Sequence, residues 1–219
     1  RLKYGSVIVD AGYNGNSHLK INVFDGQKKT YDFDSFRQMF GEKMREDDFY
    51  LGYYLHLVQD VLYRRFVYDK YHWNPMIPGN AERLHRDYAI VNGYIIKKYN
   101  LVNDLLIPEN FSEEIINNLC SFDAEDFRKR MDSYFIPIEE QDIFFFTREM
   151  SDEFIGEAID LCLHEIKCLE KNESGIDMYE YAWMRQIVLN AFGSNNKIFA
   201  YQFNKFQFRT DETLRLPEQ

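Results

Sequence analysis

The sequence predicts an all-α fold: a multi-helix bundle around one buried helix at about residues 46–71, with irregular N-terminal loops and an extended C-terminal tail. Three observations carry this. Apolar residues recur at helical spacing through long stretches without proline, most clearly from Glu46 to Tyr71. Hydrophobic residues make up 45% of the chain and aromatics 17%, with 16 Tyr and 19 Phe, enough material to fill the spaces between helices. Strand-like alternation is confined to the tail, where Phe199, Tyr201 and Phe203 alternate with polar residues. At 219 residues, with no internal repeat or composition shift, the chain reads as one domain, 1–219.

Taken in order, Arg1 to Thr30 is broken by Gly5, Gly12, Gly15 and Gly26 and reads as loop around the apolar run Val7-Ile8-Val9. A short helix is expected from Asp34, as N-cap, to Met44. The 46–71 segment carries Asp47 and Asp48 at its start and Arg64, Arg65 and Lys70 toward its end, as the helix dipole favours. Its apolar residues wrap most of the circumference, the pattern of a buried helix. Further helices are expected at about 80–99, 112–120 (capped by Ser112), 123–135 (capped by Asp123), 151–171 (capped by Ser151) and 177–192, with a strand or arm from Lys197 onward.

A net charge of -10 repels nucleic-acid phosphates and argues against a nucleic-acid partner. A phosphoester substrate stays compatible, because a bound metal ion inverts the local field. No run approaches the ~18 apolar residues of a membrane span. Three cysteines, Cys120, Cys162 and Cys168, form no paired framework, so reduced thiols and a cytoplasmic location are expected. The sequence begins at Arg1 rather than methionine, consistent with a preceding segment. Oligomeric state leaves no mark in the sequence.

His56 and Asp60 lie one turn apart on the most apolar helix, so both side chains leave the same face. An ionised carboxylate there needs compensation, and a metal ion or a protein cation would provide it. A surface pair or a hydrogen-bonded core histidine is the blander alternative. Gly52, one turn earlier on that face, leaves room for another element to approach. Asp10, after Val7-Ile8-Val9, and His18, after Asn14-Gly15-Asn16-Ser17, are two further candidate ligands, with a turn Asp and a loop His as their alternatives. Two His and two Asp suit zinc, with iron or manganese as rivals.

The order Asp10, His18, then Tyr50-Leu51-Gly52-Tyr53-Tyr54-Leu55-His56-Leu57-Val58-Gln59-Asp60 resembles the bacterial zinc-dependent phospholipase C family and its cytoplasmic relatives. Phe24-Asp25-Gly26-Gln27-Lys28-Lys29-Thr30-Tyr31 and Leu84-His85-Arg86-Asp87-Tyr88 extend the likeness over about residues 4–99. The resemblance implies one zinc on Asp10, His18, His56 and Asp60, and hydrolysis of a phosphoester, with Asp10 as the catalytic carboxylate that helps activate water. It makes His85, Asp87 and Tyr53 candidates to face the substrate or support the ligands. Tyr63-Arg64-Arg65-Phe66 and Ala89 stand where the family has ligands of a second zinc, which implies that this ion is lost unless His72 or Asp87 substitutes. The alternative is a degenerate relative with one structural metal, acting as a binding or regulatory protein.

Overall fold

The computed structural model describes residues 1–75, 77–136, 138 and 142–184. Two adjacent helices meet at Asp47, whose extended backbone (φ -140, ψ 113) stops the first while its carboxylate accepts the Phe49 N–H (2.9 Å) and starts the second. The first, α2, covers Phe33–Glu46; the second, α3, covers Asp48–Arg64. Beyond Arg64 the chain continues in wider π turns over Arg65–Lys70, closed by the Tyr71 N–H on the Phe66 carbonyl (3.1 Å). The expected 46–71 helix is therefore present, with a change of winding in its last third.

α3 packs against α2, against α1 (Leu2–Ile8) and against α6 (Arg148–Lys171). Phe49, Tyr50, Tyr53, Tyr54, Leu57, Val58 and Val61 are fully buried along it. Each such side chain contributes roughly 1.5–3 kcal/mol on burial, which is why the surrounding elements collapse onto this helix. α1 approaches closest. A Cβ on Gly5 would overlap the Phe49 carbonyl, and one on Gly52 would overlap the Leu2 carbonyl, so the two backbones touch where both glycines face the partner helix.

The remaining helices are α4 (Asn80–Lys98) and α5 (Ala124–Tyr134). Asp123 caps α5 as expected, through the Asp126 N–H (2.9 Å). Two caps differ from expectation. Asp32 rather than Asp34 caps α2, accepting the Ser35 N–H (2.9 Å), and Thr147 rather than Ser151 caps α6, accepting the Met150 N–H (3.2 Å).

The helical expectation holds in its coarser form: the molecule is mainly helical, and it also carries two small antiparallel sheets. β2 (Lys20–Val23) and β3 (Lys28–Tyr31) form a hairpin, with Gly26 in the left-handed region (φ 80) at its turn. β5 (Trp183–Met184) adds to β3, and β1 (Gly12–Tyr13) pairs with β4 (Ser121–Phe122). The N-terminal segment expected as loop is thus a helix, a 3-10 turn (Val9–Ala11) and a hairpin. The helix expected at 112–120 is two 3-10 turns, Phe111–Glu113 and Ile115–Asn118, separated by extended Glu114. Asn117 holds that break by donating to the Phe111 and Glu114 carbonyls (2.7 and 2.9 Å).

The helix expected at 177–192 is replaced over its described part by a turn at Asp177, which accepts the Tyr179 N–H (2.8 Å), and by β5. Its remainder and the tail from Lys197 lie outside the described residues. Among the described residues no helix is long and apolar enough to cross a membrane.

Replacing Gly52 with Ala is expected to destabilise the fold by about 1–3 kcal/mol through overpacking against α1. Gly156→Ala, on α6 where nothing lies within 4 Å of the new Cβ, is expected to stabilise by about 0.5–1 kcal/mol. Urea titration of the two variants checks the contrast, and equal effects would contradict the α1–α3 backbone contact.

Candidate metal centre

The 3-10 turn that ends α1 delivers Asp10 toward α3, because the Gly5–Gly52 contact fixes α1 alongside it. His18 comes from the loop between β1 and β2. That loop is tied by Asn16, whose side chain accepts from the Lys20 N–H (2.8 Å) and donates to the Lys20 carbonyl (3.0 Å). It is pinned to α3 by Tyr53, whose hydroxyl donates to the Ser17 carbonyl (2.5 Å). His56 and Asp60 project from α3 itself.

The four predicted residues meet. One ligand atom each from Asp10, His18 and His56 lies within 4.8 Å of the other two, a group that could hold a metal ion. Asp10 Oδ1 is 3.4 Å from Nε2 of both His18 and His56, and Asp60 Oδ2 is 3.5 Å from His18 Nε2. Asp60 borders the trio rather than belonging to it, and its Oδ2 also accepts from the Tyr31 hydroxyl (2.8 Å). The imidazoles are the more buried pair, at 3% and 12% side-chain exposure against 22% for Asp10 and 31% for Asp60.

His56 Nδ1 donates to the Ser6 carbonyl (2.8 Å) and His18 Nδ1 pairs with the Ser17 hydroxyl (3.0 Å). Both rings therefore aim Nε2 inward, the orientation that ligand histidines take when a carbonyl or hydroxyl holds the other nitrogen. Each Nε2 is buried without a hydrogen-bond partner. Each has Asp10 Oδ1 3.4 Å away, an ion pair whenever that imidazole is protonated, but no well-formed hydrogen bond there. An ion with affinity for nitrogen and oxygen donors fits both Nε2 atoms.

Charge couples the groups strongly. Burial pushes the Asp10 carboxyl up, but the His56 charge and the close approach of both imidazoles override it and hold the group well below the usual carboxylate range. Burial pulls His18 below its ordinary value. Burial also disfavours the His56 cation, yet Asp10 and then Asp60 outweigh it, raising that imidazole to about 9.

Asp10, His56 and Asp60 stand on the wall of a cavity of about 390 Å³, and His85 and Arg64 are also on it. His85 packs against the Tyr88 ring (centroids 6.0 Å apart). Tyr53 is fully buried and holds the His18 loop, so it supports a ligand and does not face the cavity. Asp87, 1% exposed, is spent elsewhere: its carboxylate accepts three successive backbone N–H groups, from Phe144 (2.8 Å), Phe145 (2.6 Å) and Phe146 (2.9 Å). It clamps the segment before α6 onto α4. His72 is exposed, and no second such cluster forms among the described residues.

Arg64 closes the last turn of α3, as expected of a helix-end charge, and is also buried beside the centre. Only 5% exposed, it lies over the Trp183 ring (4.4 Å) with Nη2 3.2 Å from the Tyr31 hydroxyl, directly behind Asp60. Tyr31, Ser6 and Arg64 complete the support of the centre, and only spacing from Asp60 could have flagged Arg64 in sequence. Comparison with known proteins finds no matching family model, no matching curated protein and no matching solved structure.

The three cysteines are free, and none belongs to the cluster. Burial pushes the Cys120 thiol up to about 12. Its alkylation rate is expected to climb about tenfold per pH unit through pH 10 with no plateau near the ordinary thiol value of about 8.5, as read by peptide mass spectrometry. For the clamp, Asp87→Asn is expected to cost about 2–3 kcal/mol in chemical denaturation, because the amide nitrogen would face N–H donors. A loss under about 0.5 kcal/mol, the range of a neutral surface change, would contradict it.

Proposed function

We propose that the protein is a metal-dependent hydrolase of a phosphate ester, with one ion held by Asp10, His18 and His56 and bordered by Asp60. The observation that carries this is the convergence of the Asp10 carboxylate with two buried Nε2 atoms that make no hydrogen bond, beside a cavity. Two imidazoles with carboxylate oxygen form a borderline donor set, and zinc is our assignment. A bound ion would supply Lewis acidity and lower the pKa of water.

The chain's own groups divide the remaining tasks. Asp10 stands on the cavity wall as a carboxylate, so it can accept a hydrogen bond from water and orient it. Tyr31 orients Asp60 by donating to Oδ2. Arg64 adds a positive charge to the wall where a phosphoryl group would lie. In this reading α3 is the central helix of a bundle, as in the phospholipase C family that the ligand order resembles. A reducing, cytoplasmic setting suits the three free cysteines.

One observation favours a second reading, in which the ion is structural and the protein binds or regulates. Asp10 and His18 come from the N-terminal segment and His56 from α3, so an ion between them would pin that segment down. The cavity beside the trio weighs toward the enzyme, since a purely structural site is closed by protein ligands.

Protein purified without chelator is expected to carry about one equivalent of zinc, lost in His18→Ala and His56→Ala. Turnover of p-nitrophenyl phosphate or p-nitrophenylphosphocholine should fall at least 100-fold on chelation and return with zinc. Absence of bound metal would remove the centre. Metal without turnover, together with a large drop in Tm on chelation, would support the structural reading.

A further inference from the structure

The cavity has a polarity gradient that follows from helix geometry. His56, Asp60, Tyr63 and Val67 fall at steps of four, three and four along one face of α3 and its continuation, and all four are on the cavity wall. At about 1.5 Å per residue this face runs roughly 16 Å, from the charged cluster to hydrocarbon. Opposite the far end stand Leu84, Val91 and Ile95 of α4, with Phe146 and Phe154.

The aromatic groups there form a box. The Tyr63 ring meets Phe154 edge-on (5.2 Å, 85°) and Phe146 edge-on (5.9 Å, 65°), and Tyr88 meets Phe146 in the same way (5.4 Å, 82°). The Tyr63 and Tyr88 hydroxyls hydrogen-bond to each other, which engages both polar tips together. Burial is the main reason both phenols are held well above their ordinary range, so they stay neutral. A ligand in this end meets mainly ring faces, ring edges and aliphatic carbon, with Asn92 and Ser151 as polar groups on the same wall.

Volume sets the size. About 390 Å³ is roughly two to three times the ~150 Å³ cavity that holds one benzene, and it is far too small for two long acyl chains. A sugar or nucleoside would bring more hydroxyls against this wall than Asn92, Ser151 and His85 can pair, and each one left over loses its water without a partner.

We propose, resting on the hydrolase reading above, that the substrate is the phosphate ester of a compact apolar alcohol, aryl or short alkyl. The phosphoryl group would lie at the His56–Asp60 end and the hydrocarbon in the aromatic box. For a monoester, the oxygen of water bonds to phosphorus and the ester P–O bond breaks. The alcohol oxygen takes one proton from that water, leaving the free alcohol and inorganic phosphate.

The test separates this proposal from the reading beneath it by measuring binding of the alcohol alone. With the full chain loaded with zinc, 2-naphthol is expected to bind at least tenfold more tightly than glycerol in calorimetry. Ile155→Trp and Ile95→Phe, which fill the box from half-buried wall positions, should each weaken naphthol binding at least tenfold while zinc content stays at the wild-type level. Naphthyl phosphate should be cleaved with a kcat/KM at least tenfold above glycerol phosphate. If glycerol phosphate is preferred and naphthol does not bind, the substrate class is overturned while the hydrolase reading stands. If naphthol binds but its phosphate is not cleaved by the zinc-loaded chain, the proposal falls with the hydrolase reading. Should one box variant fail to fold, the other carries the measurement; naphthol binding unchanged in a folded variant overturns the placement.

Discussion

The centre depends on a contact that contains no functional group, the backbone approach of α1 to α3 at Gly5 and Gly52. With side chains at those positions the helices would stand farther apart, and Asp10 and the Ser6 carbonyl would retreat from His56. The distances that define the cluster, 3.4 Å from Asp10 to His56 and 2.8 Å from His56 to Ser6, leave little room for such a shift. Glycine weakens a helix by about 1 kcal/mol, and here that local cost is offset by the packing it permits.

Around this contact the molecule handles buried polar groups in contrasting ways. Asp87 is saturated by three backbone N–H groups and makes a joint between α4 and the segment before α6. Glu165, fully buried on α6, receives Arg37 (2.7 Å) and the Tyr54 hydroxyl (2.6 Å) and joins α6 to α2 and α3. At the centre the two imidazoles are oriented by Ser6 and Ser17 and make no hydrogen bond at Nε2. What sets the centre apart is convergence: ligand-type atoms of Asp10, His18 and His56 lie within 4.8 Å of one another. Asp87, which looked equivalent in sequence, falls on the structural side.

Much of the helical framework was legible because its causes are local. Apolar spacing marks α2, α3, α4 and α6, and Asp123 marks the start of α5. The hairpin of β2 and β3 escaped because Lys20-Ile21-Asn22-Val23 and Lys28-Lys29-Thr30-Tyr31 are short and weakly alternating, and the pair is completed by β5 from far along the chain. α1 escaped because Gly5 reads as a turn residue, whereas it is a helical position where the Phe49 backbone presses close. The cap shifts, Asp32 for Asp34 and Thr147 for Ser151, reflect competing acceptors within a few residues, which sequence alone does not rank.

For the site, spacing on α3 paired His56 with Asp60, and the structure brings Asp10 and His18 to that face. What spacing could not order was how closely each belongs. Asp60 is drawn toward Tyr31 and backed by Arg64, so its carboxylate is shared between the cluster and a cation–aromatic stack built on Trp183. The three-atom group therefore closes on Asp10, and Asp60 turns one step along the cavity wall. That offset places Asp10, His56, Asp60 and Arg64 at the charged end of the cavity wall, with the aromatic box one turn farther along the same helix. A cavity graded in this way along a single face needs one amphipathic rotation of α3. The same face that reads as a possible ligand pair in the sequence therefore also sets which end of the cavity carries charge and which is mainly apolar.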